Sequence, residues 1–321
     1  MPDLLDTQIL HALQIDGRAS FTAIANVLAV SDQTVARRYR RLHSAGAVRV
    51  RGLLEPSETG GTQWIVRIRC VPDGAGRLAE ALARRDDTSW ISLTGGGAEI
   101  ICVVDAPYGF DRPVAVLDRL PRSGGVVAID AHCVLHEFFG GTESLIGKNG
   151  PLTADQVRAL RPVPPRRPAV VRPPDPGDGR LLRALNHDGR ATVTALAQAT
   201  GWSQSAVHRR ITQLTEARSL YFDVDFDQAL FDLGMRAVLW LRVRADRLAA
   251  VGRTLADHPE VGYAAATTGA TNLYCAVACP SPGALYTYLT VRIAALDGIQ
   301  HVETAPITRS AKTSGGPASI H

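Results

Sequence analysis

The stretch Val30–Leu42, V-S-D-Q-T-V-A-R-R-Y-R-R-L, decides how the rest of the chain is read. Val35, Tyr39 and Leu42 recur at i, i+4 and i+7, the spacing of one apolar stripe on a short helix. Ser31 stands where an N-cap hydroxyl accepts backbone N–H bonds, and Gln33, Thr34, Arg37, Arg38 and Arg41 fall on the outer side. Such a face suits phosphates and base edges, although a solvated basic surface accounts for an isolated helix of this kind equally well.

Recurrence separates the two readings. Asp6, Leu10, Leu13, Asp16, Gly17, Arg18, Ala19, Ala25, Ser31, Val35, Arg37, Arg38 and Leu42 return, 172 positions on and without a gap, as Asp178, Leu182, Leu185, Asp188, Gly189, Arg190, Ala191, Ala197, Ser203, Val207, Arg209, Arg210 and Leu214. A period this long marks a duplicated module, not a short solenoid repeat.

Working outward, Leu10 and Leu13 with Ile9 define a first packing helix that stops at Asp16-Gly17. Ser20 or Thr22 caps a second helix holding Ile24, Ala25 and Leu28, and Ala29-Val30 turns into the Ser31 helix. Helix, helix, tight turn, helix is the helix-turn-helix plan, whose last helix enters the major groove. The second copy has Gly201 at the turn where the first has Ala29. If that turn needs a left-handed residue, Ala29 carries about 1–2 kcal/mol of strain.

Downstream of each module the hydrophobic period changes to two. Trp64–Cys70, Trp90–Thr94, Ile100–Val104 and Val126–Leu135 read as strands, with helices near Leu78–Leu82 and Phe110–Leu120. The second copy repeats the order over Ala237–Val243, Leu248–Leu255, Val261–Thr267, Asn272–Ala278, Leu285–Leu296 and Ile299–Ile307. The expected fold class is therefore α+β, a winged-type helix-turn-helix followed by a ferredoxin-like β-α-β-β-α-β domain, duplicated in one chain. The expected boundaries are 1–52 and 62–137 for the first copy, 178–226 and 234–309 for the second, and 310–321 for a frayed tail. Between the copies, 140–177 carries R-P-V-P-P-R-R-P-A-V-V-R-P-P-D-P-G, an extended proline-rich linker, preceded by a turn or two of helix at Thr153–Leu160.

Composition excludes several classes. With 45% hydrophobic and 21% charged residues over 321 positions, the chain is globular and long enough for several domains. The net charge of +4 is mild, but residues 37–51 hold six arginines and no acid, the local signature of a nucleic-acid face. No basic segment followed by an apolar run opens the chain, and none approaches the roughly 18 apolar residues of a membrane span. A cytoplasmic location without membrane partners is expected. Cys70, Cys102, Cys133, Cys275 and Cys279 are odd in number and at no framework spacing, so they are expected reduced and buried.

These features together resemble the leucine-responsive regulatory protein and asparagine-synthesis regulator family, the Lrp/AsnC or feast/famine regulators. L-D-T-Q-I-L-H-A-L-Q-I-D-G-R-A-S at Leu5–Ser20, T-G-A-T-N-L-Y at Thr268–Tyr274 and L-D-G-I-Q-H-V-E-T at Leu296–Thr304 carry the likeness. It implies a regulator of transcription that binds double-stranded DNA, dimerises and assembles further through its sheet domain, and in many members takes an amino acid near the turn between the central strands. Carried onto this sequence, DNA readers are expected at Ser31, Gln33, Thr34, Arg37, Arg38 and Arg41, and at Ser203, Ser205, His208, Arg209, Arg210 and Gln213. An amino-acid or small-metabolite effector is expected at Thr94, Gly95 and Gly96 or at Thr268, Gly269 and Asn272. The family's T-G-x-x-D pattern has Ala98 and Asn272 in place of its aspartate, so the carboxylate that would meet an α-ammonium group is absent from both positions. The two sheet domains of one chain are expected to pair as an intrachain pseudo-dimer.

Other chemistry is weakly signalled. His132 and His136 share a strand face with Cys133 on the other, and Cys275 and Cys279 lie on one strand without further ligands, so no metal is expected. No phosphate-cradling glycine loop or nucleophile elbow is present, and no cofactor is expected. Some tetrapyrrole decarboxylases share this family's fold, and an enzyme of that kind would give the sheet domains a haem-like ligand. Two basic recognition faces favour a regulator, and the chain is expected not to be an enzyme.

Overall fold

A computed structural model describes residues 3–54, 61–71, 74–106, 125–161 and 176–313. They form two compact units, Met1–Gly60 with Ile146–Phe231, and Gly61–Leu145 with Asp232–His321. The helix expected at Phe110–Leu120 and most of the proline-rich run lie outside the described residues.

The first unit holds both helix-turn-helix modules. In the first, α1 (Leu4–Ile15), α2 (Phe21–Leu28) and α3 (Asp32–Ser44) bury Ile9, Leu10, Leu13, Ile24, Val35, Tyr39 and Leu42 in one core. Ser20 and Ser31 cap α2 and α3 by accepting from the backbone N–H groups of Ala23 and Thr34, each cap worth about 1 kcal/mol. Ala29 does adopt the left-handed conformation (φ 54°, ψ 43°), where the second copy uses Gly201 (φ 76°).

A strand follows each module: β1 (Val48–Leu54) in the first copy and, at the end of the second, β6 (Leu220–Phe226). They pair antiparallel, from Val48 opposite Phe226 to Leu54 opposite Leu220, so the two copies share a two-stranded ribbon. Gly17 is fixed by this pairing, because a Cβ there would lie 2.6 Å from the Phe222 Cβ. The interval between the copies is not all linker. Short helices α5 (Leu145–Asn149) and α6 (Ala154–Leu160), the latter opened by a Thr153–Gln156 capping box, place Ile146, Leu152 and Leu160 in the first module's core. These residues, with Val157 against them, drive the docking, whereas the composition of the whole interval suggests only a spacer. The second module consists of α7 (Gly179–His187), α8 (Val193–Thr200) and α9 (Gln204–Glu216) around Leu181, Leu185, Leu196, Val207 and Leu214.

The second unit is a nine-stranded sheet system. From the first copy come β2 (Thr62–Cys70), helix α4 (Ala75–Ala83), β3 (Thr88–Thr94), β4 (Glu99–Ala106) and β5 (Val126–Phe139). From the second come β7 (Met235–Val243), α10 (Leu248–Ala256), β8 (Val261–Thr267), β9 (Leu273–Cys279), α11 (Pro282–Thr287) and β10 (Ile299–Pro306). Each copy's strands take the ferredoxin-like order, β5-β2-β4-β3 and β10-β7-β9-β8.

The copies exchange edges. The end of β5 pairs with β8, and β11 (Arg309–Lys312) pairs with β3. Most of β11 lies in the stretch expected to be a frayed tail. It forms a strand because β3 otherwise exposes unpaired backbone, and Lys312 is held there by the Arg85 carbonyl at 2.5 Å. Ile65 and Ile101 of the first copy also pack with Val238, Trp240 and Tyr274 of the second. Paired sheet domains thus close on one another within the chain.

Candidate nucleic-acid interface and effector cavity

Helices α3 and α9 present unequal faces. On α3, Gln33, Arg37, Arg40 and Arg41 are exposed. Arg38 is turned inward, where its guanidinium bridges Asp3, the N-cap of α1, and Asp6 in its first turn, and 24% of its side chain is accessible. Its counterpart Arg210 makes the same link to Asp178, with 11% accessible and bonds of 2.7 and 2.5 Å. These two arginines brace the recognition helix against the first helix of its module and do not stand on the outer face expected of them. Arg41 also reaches Asp6 but leaves 61% of its side chain in solvent. Arg40, which sequence reasoning passed over because it follows the stripe residue Tyr39, is exposed with its Nε on the Ala36 carbonyl.

Ser31 and Thr34 join in the N-cap, hydroxyl to hydroxyl at 2.9 Å. Ser203 caps α9 through the Ala206 N–H and meets Ser205 at 3.1 Å. Beyond the cap, α9 exposes Gln204, His208, Arg209, Thr212 and Gln213. The positions held by Arg40 and Arg41 in the first copy are Thr212 and Gln213 in the second, so the first face carries three cations where the second carries Arg209.

The effector residues also separate. Where the sheet domains of the two copies meet, an open cleft of about 400 Å³ is lined by Arg67, Arg69, Gly95, Ala98 and Glu99 of the first copy and by Glu303 of the second, among others. Its charged wall is one network. Arg67 donates to Glu99 and, with both terminal nitrogens, to Glu303, while the buried Thr94 hydroxyl donates to Glu99 at 2.7 Å. The paired guanidinium pulls the Glu303 carboxyl below its ordinary range, and the two carboxylates raise Arg67. Gly95 reaches this cavity, and Thr94 supports it from behind. Glu99 supplies, one residue after Ala98, a carboxylate that the family pattern places at Ala98 itself.

The second hairpin is closed by its own bonds. Asn272 accepts from the Val243 N–H and donates to the Val243 carbonyl, both at 2.8 Å. The Thr268 hydroxyl accepts from the Cys133 N–H, and its carbonyl lies 2.8 Å from the His132 ring. A Cβ on Gly269 would meet that ring at 2.4 Å. His132 packs against Trp240 and His136 meets Phe138 edge to face, so each ring is engaged with a different aromatic partner. Among the described residues no cluster of three His, Cys, Asp or Glu could hold a metal ion, and no helix is long and apolar enough to cross a membrane. All five cysteines are buried and none is joined in a disulfide, and burial pushes the Cys102 thiol up to about 12.

Comparison with known proteins follows the same duplication. The AsnC-type helix-turn-helix domain matches residues 3–43 and again 175–215, and the Lrp/AsnC ligand binding domain matches 236–317, together just over half of the chain. The HTH-type transcriptional regulator FL11 of Pyrococcus horikoshii is 25% identical over 141 residues, 44% of this chain and 93% of that protein. Regulatory protein AsnC of Escherichia coli is 30% identical over 143 residues, 42% of this chain and 93% of that protein. Each therefore corresponds to one copy.

A solved structure spans both copies. The siroheme decarboxylase NirDL superposes with a TM-score of 0.62 over 98% of this chain and 94% of its own, at 12% identity. This likeness is one of fold alone, yet it corrects the expectation that the chain is not an enzyme, because a siroheme decarboxylase is built on the same fold. The two helix-turn-helix matches, the ligand-domain match and the repeated strand order converge: the chain belongs to the Lrp/AsnC family of transcriptional regulators, with that family's plan present twice in tandem.

Proposed function

We propose that this chain is a sequence-specific, DNA-binding transcriptional regulator in which α3 and α9 are two unequal readers. The observation that carries the reading is the exposure of Arg37, Arg40 and Arg41 on a capped helix in the last position of a helix-turn-helix module, tied through the β1–β6 ribbon to a second such module. Exposed arginines position a helix by phosphate contacts and read guanine edges by bidentate bonds. A DNA partner places the chain in the compartment that holds the chromosome. Selection of bound duplexes from a random pool tests this. An enriched motif whose binding weakens steeply with salt supports it; binding no tighter than to bulk DNA removes it.

The cleft between the two copies' sheet domains is the proposed effector site. Its Arg67, Arg69, Glu99 and Glu303 wall offers both signs of charge, which suits a zwitterionic amino acid or a related small carboxylate, and about 400 Å³ lies in the ordinary range for small ligands. Calorimetry of the twenty amino acids against the full chain and its Glu303→Gln variant tests the site. Binding that is indifferent to Glu303 places the effector elsewhere.

A second reading rests on the whole-chain likeness to a siroheme decarboxylase. On that reading the sheet unit takes an iron tetrapyrrole, and Arg67 and Arg69 would meet its carboxylates. Titration with sirohaem distinguishes it: a saturable one-to-one shift of the visible bands with release of carbon dioxide supports catalysis, and unchanged bands exclude this ligand.

A further inference from the structure

The ribbon joining the modules carries opposite charges on its two strands. β1 reads V-R-V-R-G-L-L and β6 reads L-Y-F-D-V-D-F. Register sets Arg49 opposite Asp225 and Arg51 opposite Asp223. Cross-strand pairs of opposite charge stabilise a ribbon, and like charges in the same places destabilise it.

The positions matter more than the number of charges. Arg51 and Asp223 are the same residue of the repeat, 172 positions apart, and they face each other, so they stand on the pseudo-two-fold axis relating the copies. Were two first copies to pair in this register, Arg51 would meet Arg51. Were two second copies to pair, Asp223 would meet Asp223. The site is also poorly hydrated. Arg51, with 4% of its side chain accessible, ion-pairs with Asp225 at 12% and donates to the Asn186 carbonyl at 2.9 Å, while Asp223 accepts from Gln14 at 3.2 Å. A like-charged pair withdrawn from water at that point has no compensating partner.

We propose that the β1–β6 ribbon is a charge-coded interface that admits only the unlike copy, so that reading heads assemble as first-copy/second-copy pairs and never as like pairs between chains. The inference concerns the ribbon alone and holds whatever the modules bind.

Three full-length variants test it: Arg49→Asp with Arg51→Asp, an all-acid ribbon; Asp223→Arg with Asp225→Arg, an all-basic ribbon; and all four changes together, which exchange the charges between strands. Each half-exchanged chain should melt roughly 5–10 °C below the unaltered chain, in keeping with breaking a buried ion pair. The four-fold variant should regain most of that loss. Co-expressed under different affinity tags, the all-acid and all-basic chains should co-purify one to one, since each then supplies the strand the other lacks, whereas two unaltered chains should not exchange ribbons. Recovery either within the four-fold chain or between the mixed chains sustains the code. Half-exchanged chains that melt as the unaltered chain does, or losses that add in the four-fold variant together with no co-purification, overturn it.

Discussion

Arg18 and Arg190 exchange hydrogen bonds across the two modules: Arg18 donates to the carbonyls of Gly189 and Ala191 at 2.5 and 3.1 Å, and Arg190 donates to those of Gly17 and Ala19 at 2.7 and 2.9 Å. Each guanidinium closes the loop after the other copy's first helix, where the carbonyls have no helical partner. Residues at the same place in a repeat that satisfy each other reciprocally are the mark of a two-fold pair, here completed within one chain.

That reciprocity predicts similar losses on truncation. Arg18→Ala or Arg190→Ala each removes two charge-assisted bonds, about 1.5–3 kcal/mol of stability. Arg190 should be the costlier, because its guanidinium also lies over Phe21 at 4.7 Å and Tyr39 at 5.4 Å, while Arg18 lies over Phe222 at 5.8 Å. Lysine should rescue neither, since an ammonium cannot span two carbonyls as the planar fork does. Urea unfolding of the full chain measures this; equal midpoints for the lysine and arginine chains would refute the forked geometry.

Asp223 gives the ribbon a pH dependence of known sign. Desolvation, reinforced by Asp225, pushes its carboxyl from 3.8 up to about 6. A raised folded-state pKa means that this group's contribution to stability is complete below about pH 4 and is lost as pH rises through about 6. At about 1.4 kcal/mol per unit, the loss is at most about 3 kcal/mol. Asp223→Asn, which keeps an oxygen for Gln14, should therefore be more stable than the unaltered chain at pH 8 and not at pH 4. A stability difference that stays flat over that range would sink the assignment.

Much of this was legible in the sequence, for reasons that differ by element. The capped α3 stripe and the alternating strands are local periodicities, and the structure shows the stripe, the two modules 172 residues apart and the expected strand order in each copy. Helical spacing places Arg38 beside the outer face, while its partner Asp6 lies 32 residues away, a pairing only the packed module creates. Glu99 and Glu303 were missed for the same reason: they meet through Arg67, 236 residues from Glu303, and no motif spans that interval. Asn272, a reasonable ligand group by its place in the hairpin, is held by Val243 from another strand.

Separating bracing from reading arginines gives a test on DNA. Arg37→Ala with Arg40→Ala should lower the salt slope of binding by roughly 0.9 for each phosphate no longer neutralised, while leaving the fold intact. Arg38→Ala should do the reverse, weakening the module by about 1–3 kcal/mol through the Asp6 carboxylate it leaves buried, with little change in slope among molecules that remain folded. A fall in slope for Arg38→Ala equal to that of the exposed pair would mean that the Asp3–Asp6 bridge opens on DNA.

Asn272→Asp restores the aspartate of the family pattern and should nevertheless fail as an effector residue. The carboxylate still accepts from the Val243 N–H but cannot donate to the Val243 carbonyl, so a repelled charge beside that carbonyl replaces one of the two bonds of 2.8 Å. The expected result is a loss of about 1–3 kcal/mol in unfolding with no gain in amino-acid affinity. Tighter binding of an amino acid by the aspartate chain would show the second hairpin to be a ligand site after all.

The unequal readers predict an unequal operator. In a symmetric dimer two identical helices face a palindrome with half-sites spaced by whole turns of the duplex. Here the ribbon joins α3, bearing Thr34, Ala36, Arg40 and Arg41, to α9, bearing Ala206, His208, Thr212 and Gln213 at the same places. The exposed arginines on α3 favour guanine contacts and a larger phosphate term; Gln213 and His208 favour different edges and contribute less charge. Selected sites should be imperfect, directional repeats with one strong half. Arg37→Ala with Arg41→Ala should abolish the strong half and leave the weak one, and Arg209→Ala should do the opposite, as read by footprinting at single-base resolution. A perfect palindrome whose halves disappear together with the α3 substitutions would mean that like modules of two chains read the site, and the ribbon would not be the element that pairs them on DNA.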